Sequence, residues 1–191
     1  MSNTDLTRTT ASAPAVVRIA AHGYEVGIDA DRGGRIVSAT FYGVDVLRRD
    51  MTTGASSALE AACFPLVPYS NRIRCGQFTF AGETHQLAPN WDGDAHVIHG
   101  EGWLRSWDIV EQDASRALLR LTGGDGWPWL YECLQEIKVG PDGIGLSLAL
   151  RNTGQTPMPA GLGFHPYFPR SASTRLQFDA KRIWPPLGDT A

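Results

Sequence analysis

The sequence predicts an all-β protein built as an antiparallel sandwich or barrel, and three observations carry the prediction. Apolar residues recur with period two, which sends alternate side chains of an extended chain to one face. Turn signals, mostly Gly with Asp, Asn or Pro, arrive about every ten residues. Helical windows are scarce, and Ala55–Ala62 is the one that reads as a turn or two of helix. Many short strands at regular spacing bury their apolar faces by packing sheet on sheet or by closing on themselves.

The elements follow in order. Residues 1–14 are polar and rich in Thr and Ser, and they read as a flexible lead-in to a single domain over residues 15–191. Tyr24, Val26 and Ile28 alternate with charged or small residues before Gly33-Gly34 turns the chain. Arg35–Tyr42 and Val44–Arg48 flank Gly43 as a hairpin, and Gly76–Phe80 and Thr84–Leu87 flank Ala81-Gly82 in the same way. Trp107–Val110 and Ala117–Leu121 come next. The clearest hairpin joins Leu134–Val139 to Ile144–Arg151 through Gly140-Pro141-Asp142-Gly143. In its second strand Leu146, Leu148 and Leu150 share one face, and Ser147, Ala149 and Arg151 the other. The chain then stops in a loop after Pro185-Pro186 with no closing strand, so the sandwich is expected to be incomplete at its C-terminus, with a sheet edge open to self-association.

Composition removes several classes of function. The net charge is −3, and the 15 Arg and 2 Lys are scattered, so no basic surface is expected to attract nucleic acid or anionic lipid. No apolar run approaches the roughly 20 residues of a membrane helix, and the N-terminus lacks the basic, then apolar, pattern of a signal peptide. Cys63, Cys75 and Cys133 form no C-x-x-C pair and leave an odd thiol in any disulfide scheme. Reduced thiols and a cytoplasmic location are the expectation.

Two segments stand apart from plain β structure: Phe64 to Arg74 with Asn90 to Gly100, and Met158 to Phe168. Each sets a polar side chain among prolines and glycines, away from expected ladder positions, as rigid binding loops do. Trp91, Trp103, Trp127 and Trp129 are numerous for this length and read mainly as core, although an aromatic face can stack on the C–H face of a ring. His96 and His99 with Asp92 and Asp94 do not make a metal site, because positions i and i+3 of an extended segment face opposite ways.

The order of these motifs resembles the aldose 1-epimerases, or galactose mutarotases. Asn71-Arg72-Ile73 with Gly76, Phe78 and Gly82 looks like the family's N-R-I-x-x-G-x-[FY] stretch. Leu87, Asn90, His99-Gly100, Trp107, Gly126-Trp127-Pro128 and Asn152-Thr153-Gly154 continue in register. Gly163-Phe164-His165-Pro166-Tyr167-Phe168 looks like its most recognisable signature. The resemblance implies a large antiparallel β-sandwich, the mutarotase-like supersandwich, with a sugar cleft on one face. It implies that Asn71 and Arg72 bind hydroxyls, that His99 holds the ring, that His165 is the general acid and that Tyr167 lies at the substrate. The substrate would be a hexose such as galactose or glucose, and no cofactor or metal is implied.

The chemistry agrees with those residue types. Interconverting α and β anomers needs a base for the anomeric hydroxyl and an acid for the ring oxygen, and an imidazole can serve near neutral pH. Arg suits an uncharged polyol because its planar fork donates to neighbouring hydroxyls. One departure stands out. The family's base is a glutamate of the C-terminal third, which would follow residue 191, and Glu83, Glu101 and Glu132 sit in no matching context. Two alternatives therefore accompany the epimerase reading. One is a hexose-6-phosphate 1-epimerase, with Arg74 beside Arg72 for the phosphate; the other is a sugar-binding module or inactive fragment without catalysis.

Overall fold

A computed structural model describes residues 16–50 and 58–182. The sequence-predicted lead-in and the last residues, including Pro185-Pro186, lie outside the described residues. The chain is almost entirely β. In chain order the strands are β1 (Val17–Ala21), β2 (Tyr24–Asp29), β3 (Arg35–Phe41), β4 (Val44–Leu47), β5 (Cys63–Leu66), β6 (Arg72–Ile73) and β7 (Gln77–Phe80). They continue with β8 (Glu83–Gln86), β9 (Val97–Ile98), β10 (Asp108–Gln112), β11 (Arg116–Gly123), β12 (Tyr131–Gly140), β13 (Gly143–Asn152) and β14 (Gly163–Pro166).

Two antiparallel sheets face each other. One runs β1-β2-β3-β5-β14, with β4 paired to β3, and the other runs β10-β11-β12-β13. Period-two alternation builds the layer between them. On β12, Tyr131, Cys133, Gln135, Ile137 and Val139 are buried while the residues between them are not. Ala117, Leu119 and Leu121 of β11 join them, and Ile19, Val26, Ile28, Ile36 and Ala39 answer from the first sheet. One polar tie crosses the layer, where Gln135 Nε2 donates to the Gly34 carbonyl at 2.6 Å. The bond satisfies the amide nitrogen, while the buried Oε1 has no partner among the described residues.

The expected hairpins are present, and β12 and β13 pair over their whole length without a register shift. Three expectations need correction. Of the helix predicted over Ala55–Ala62, the described part forms a single 3₁₀ turn, Ala58–Glu60. Ala61 and Ala62 are instead core residues, and Ala62 bridges two strands: its N–H donates to Ile36 and its carbonyl accepts from Tyr167. The helix propensity of Ala yields here to tertiary burial.

Second, the two motif segments were expected away from ladder positions, yet Cys63–Leu66 and Gly163–Pro166 pair as β5 and β14, with His165 opposite Phe64. Pro65 donates no N–H, and β5 meets β3 only at Cys63–Ile36. Third, β1 adds an edge strand the sequence reading did not assign. Both buried thiols, Cys63 and Cys133, and the exposed Cys75 are free, as expected. No described helix is long and apolar enough to cross a membrane.

Candidate active site

The β5–β14 pair carries the first half of the site. Antiparallel pairing sets His165 directly beside Phe64, and their rings stack 4.9 Å apart at 17°. Two residues on, Tyr167 emerges on the same face, with its ring 4.7 Å from that of His165. Beyond Phe64 the row continues through Trp103 at 5.7 Å and Trp91 at 5.6 Å. At the other end the Arg48 guanidinium lies over the Tyr167 ring, its Cζ 4.1 Å from the centroid. Phe64 and Trp103 are buried, and with Ala61, Leu66 and Ile98 they form a separate apolar cluster under the row.

The second half comes from a loop that leaves after Tyr69 and returns before Gly100. The short ladder β6–β9 closes it, pairing Arg72 with Ile98. At its mouth Asn71 and His99 clasp each other: the His99 N–H donates to the Asn71 carbonyl at 3.0 Å, and the Asn71 N–H donates to His99 Nδ1 at 3.1 Å. Both residues have positive φ, 65° and 62°, a region that L-residues enter at a cost. Gly100 follows with φ 71°, and a Cβ there would lie 2.0 Å from the Val67 carbonyl oxygen. Glycine is required because the backbone of β5's extension passes against it. Asn90 staples the returning strand, accepting from Ile98 N–H and donating to the Ile98 and Gly100 carbonyls.

These two halves meet at the histidines. The His99 and His165 rings are 5.6 Å apart at 74°, and His99 stands edge-on to Trp103 as well. Because His99 Nδ1 accepts a backbone N–H, its neutral ring carries the proton on Nε2. Burial, then the neighbouring His165 and Arg72, push its pKa down to about 4. His165 is also lowered, by burial first and then by the Arg48 charge. Its Nδ1 is buried and has no hydrogen-bond partner among the described residues.

The other predicted residues lie at the rim. Asn71 is exposed, and its Oδ1 accepts from the Arg72 N–H at 2.9 Å. Arg72 is about half exposed and pairs through Nε with Asp94 at 3.1 Å. Tyr167 is half-buried, and burial raises its hydroxyl pKa. All five predicted residues therefore border one locus, with Arg72 engaged in a rim ion pair as well.

Sequence reasoning missed Arg48, which no local motif marks: it follows β4, far from the signature segments, and only the fold brings it to Tyr167. Two of the three candidate carboxylates, Glu101 and Glu132, are committed elsewhere. Glu101 accepts from Tyr131 Oη, Gly124 N–H, Gly126 N–H and Arg105. Glu132 pairs with Arg151 on the outer face of the second sheet. Among the described residues, no three His, Cys, Asp or Glu side chains gather as metal ligands.

Comparison with known proteins places this geometry. The chain is 36% identical over 155 residues to the uncharacterized Escherichia coli K12 protein YphB, covering 81% of this chain and 52% of YphB. It is 32% identical over 106 residues to the E. coli K12 aldose 1-epimerase, covering 52% of this chain and 30% of that enzyme. The chain thus spans about half the length, or less, of these curated relatives.

Among solved structures, an E. coli K12 protein proposed to be an aldose 1-epimerase superposes with a TM-score of 0.76 at 32% identity, over 82% of this chain and 53% of that one. A Caenorhabditis elegans GalM/aldose epimerase homologue shares the fold, with a TM-score of 0.68 at 19% identity, over 82% of this chain and 51% of its own. The aldose 1-epimerase family profile matches residues 16–189, and the chain belongs to that family.

Proposed function

We propose that this family member binds a hexose at the His99–His165 locus and takes part in interconverting its α and β anomers. The observation that carries the reading is the pair of imidazoles 5.6 Å apart and nearly perpendicular, one fixed as a donor and the other flat against Phe64. In the reaction a base takes the O1 proton while His165, as imidazolium, gives a proton to the ring oxygen. The C1–O5 bond breaks to the open aldehyde, C1–C2 rotates, and O5 returns to the other face of C1 as the protons go back. His99, neutral through Nε2–H, donates a fixed hydrogen bond rather than a proton. Asn71, Arg72 and Tyr167 contact hydroxyls and the sugar face. The base is assigned to no residue of this chain.

One observation favours a second reading, sugar binding without turnover. The charges acting on the two imidazoles are His165 and Arg72 on His99 and Arg48 on His165, and among the described residues no carboxylate hydrogen-bonds either one. Polarimetry on freshly dissolved α-D-galactose, α-D-glucose and their 6-phosphates separates the readings. The epimerase reading expects acceleration over buffer that falls by about 10²–10⁴-fold in His165→Ala. An accelerated rate unchanged in that variant removes His165 from the chemistry. A folded chain that binds sugar but gives no acceleration supports the binding module.

A further inference from the structure

Catalytic imidazoles are commonly oriented by a hydrogen bond on the nitrogen that faces away from the substrate. His165 has none from another residue: its Nδ1 is buried and, its own backbone aside, unpartnered among the described residues, so packing has the larger part in setting the plane of the ring. One face of that ring lies on Phe64, which the core holds rigidly at 1% exposure. Tyr167, half-buried at the rim, meets the ring from the side next to Phe64, its centroid 4.7 Å from that of His165 and 6.3 Å from that of Phe64, and what holds Tyr167 is Arg48. The Arg48 N–H donates to the Tyr167 carbonyl at 2.8 Å, and its guanidinium caps the Tyr167 ring at 4.1 Å. The guanidinium is itself fixed, since Nη2 donates to the Leu59 and Ala61 carbonyls at 2.7 and 3.2 Å. An arginine stacked on an aromatic face while its fork binds carbonyls uses both properties that lysine lacks.

We propose that Arg48 is the positioning residue of the site, clamping Tyr167 against His165 so that the imidazole is fixed by two adjoining rings, Phe64 and Tyr167. For catalysis this rests on the epimerase reading; the clamp itself does not. A charge behind the ring has a second effect, disfavouring the imidazolium. The groups facing His165 are Arg48 after β4, Tyr167 of its own segment, His99 from the returning loop and the Cys63 thiol beside its backbone on β5.

The test is an NMR titration of the ¹³C,¹⁵N-histidine-labelled chain with Arg48→Met and Arg48→Lys, which needs no turnover. In Arg48→Met the His165 midpoint is expected to rise and its ring signals to average between rotamers. In Arg48→Lys the midpoint stays low because the charge remains, while the averaging persists because the plane and fork are gone. The His99 midpoint moves less than that of His165 in both, since Arg48 is not among the charges acting on it and reaches it only through His165. An unchanged His165 in a folded Arg48→Met chain overturns the proposal, as do equal shifts of both histidines, which mean general loosening. Where acceleration is measurable, kcat is expected to fall about 10- to 100-fold with KM nearly unchanged. If the unaltered chain accelerates nothing, the epimerase reading fails while the NMR outcome still judges the clamp.

Discussion

His99 couples the site to the stability of the chain. Its pKa is about 4 when folded against about 6.5 for a free imidazole. In the window between those values the unfolded chain binds a proton that the folded chain refuses, so stability falls as pH drops through it. The sign is that of a group kept neutral by burial, and the size is about 3 kcal/mol for a shift of this order. Denaturant unfolding near neutral pH and near pH 4.5 should show that loss, and His99→Gln should show a drop smaller by the same amount. An equal drop in both chains would mean that the depressed pKa is not there. Glu101 shows the opposite use of a buried polar group. Its four hydrogen bonds tie the Gly124–Gly126 segment, Tyr131 and Arg105 to the turn past Gly100, so it belongs to the architecture and is not a stray catalytic carboxylate.

At the scale of elements, the hairpins were legible because their information is local. Gly140-Pro141-Asp142-Gly143 between alternating runs can form little else, and β12 and β13 pair through it without a slip. The β5–β14 ladder was not legible, because it joins segments about a hundred residues apart and both contain proline, which sequence reading treats as loop. The identities of the site residues were readable from short motifs, but not what holds them: Arg48 meets Tyr167 through topology alone. The His99 loop makes an element-level prediction. Gly100 and Gly82 both have positive φ, yet a Cβ on Gly82 meets nothing within 4 Å while one on Gly100 drives into a carbonyl. Gly82→Ala should therefore cost only the left-handed strain, about 1–2 kcal/mol. Gly100→Ala should cost clearly more and disturb the Asn71–His99 clasp. Equal melting shifts for the two would contradict the close approach at Val67.

For the whole molecule the notable surface is β13. Among the described residues it is the outer strand of its sheet, ten residues, Gly143–Asn152, in unbroken register with β12. Ile144, Leu146, Leu148 and Leu150 on its inner face remain half-buried, and up to Arg151 the outer face holds only Gly, Ser and Ala. Natural edge strands are usually blunted by charge, proline or a bulge, and this one has none over its first eight positions. Paired antiparallel with a second copy about Ser147, it would set apolar residues opposite apolar and small opposite small, with no like charges facing. Self-association is thus the expected behaviour, visible as a mass that rises with concentration in light scattering. Ala149→Lys, which puts a charge on that edge, should return the chain toward monomer. A concentration-independent monomeric mass in the unaltered chain would show the edge to be inert.

The clasp between Asn71 and His99 carries a consequence for how this architecture tolerates change. Two backbone-anchored bonds join positions 28 residues apart, so everything between them is a closed excursion whose ends are fixed whatever its tip does. The tip is the exposed Ala81-Gly82 turn of β7–β8, where a Cβ added at Gly82 would meet nothing within 4 Å. Extra residues inserted there lengthen a loop whose ends are already tied, and lengthening such a loop adds little entropic cost. The hairpin tip is therefore where this scaffold can accept foreign sequence, such as an affinity tag or a second binding loop, while the two histidines keep their places.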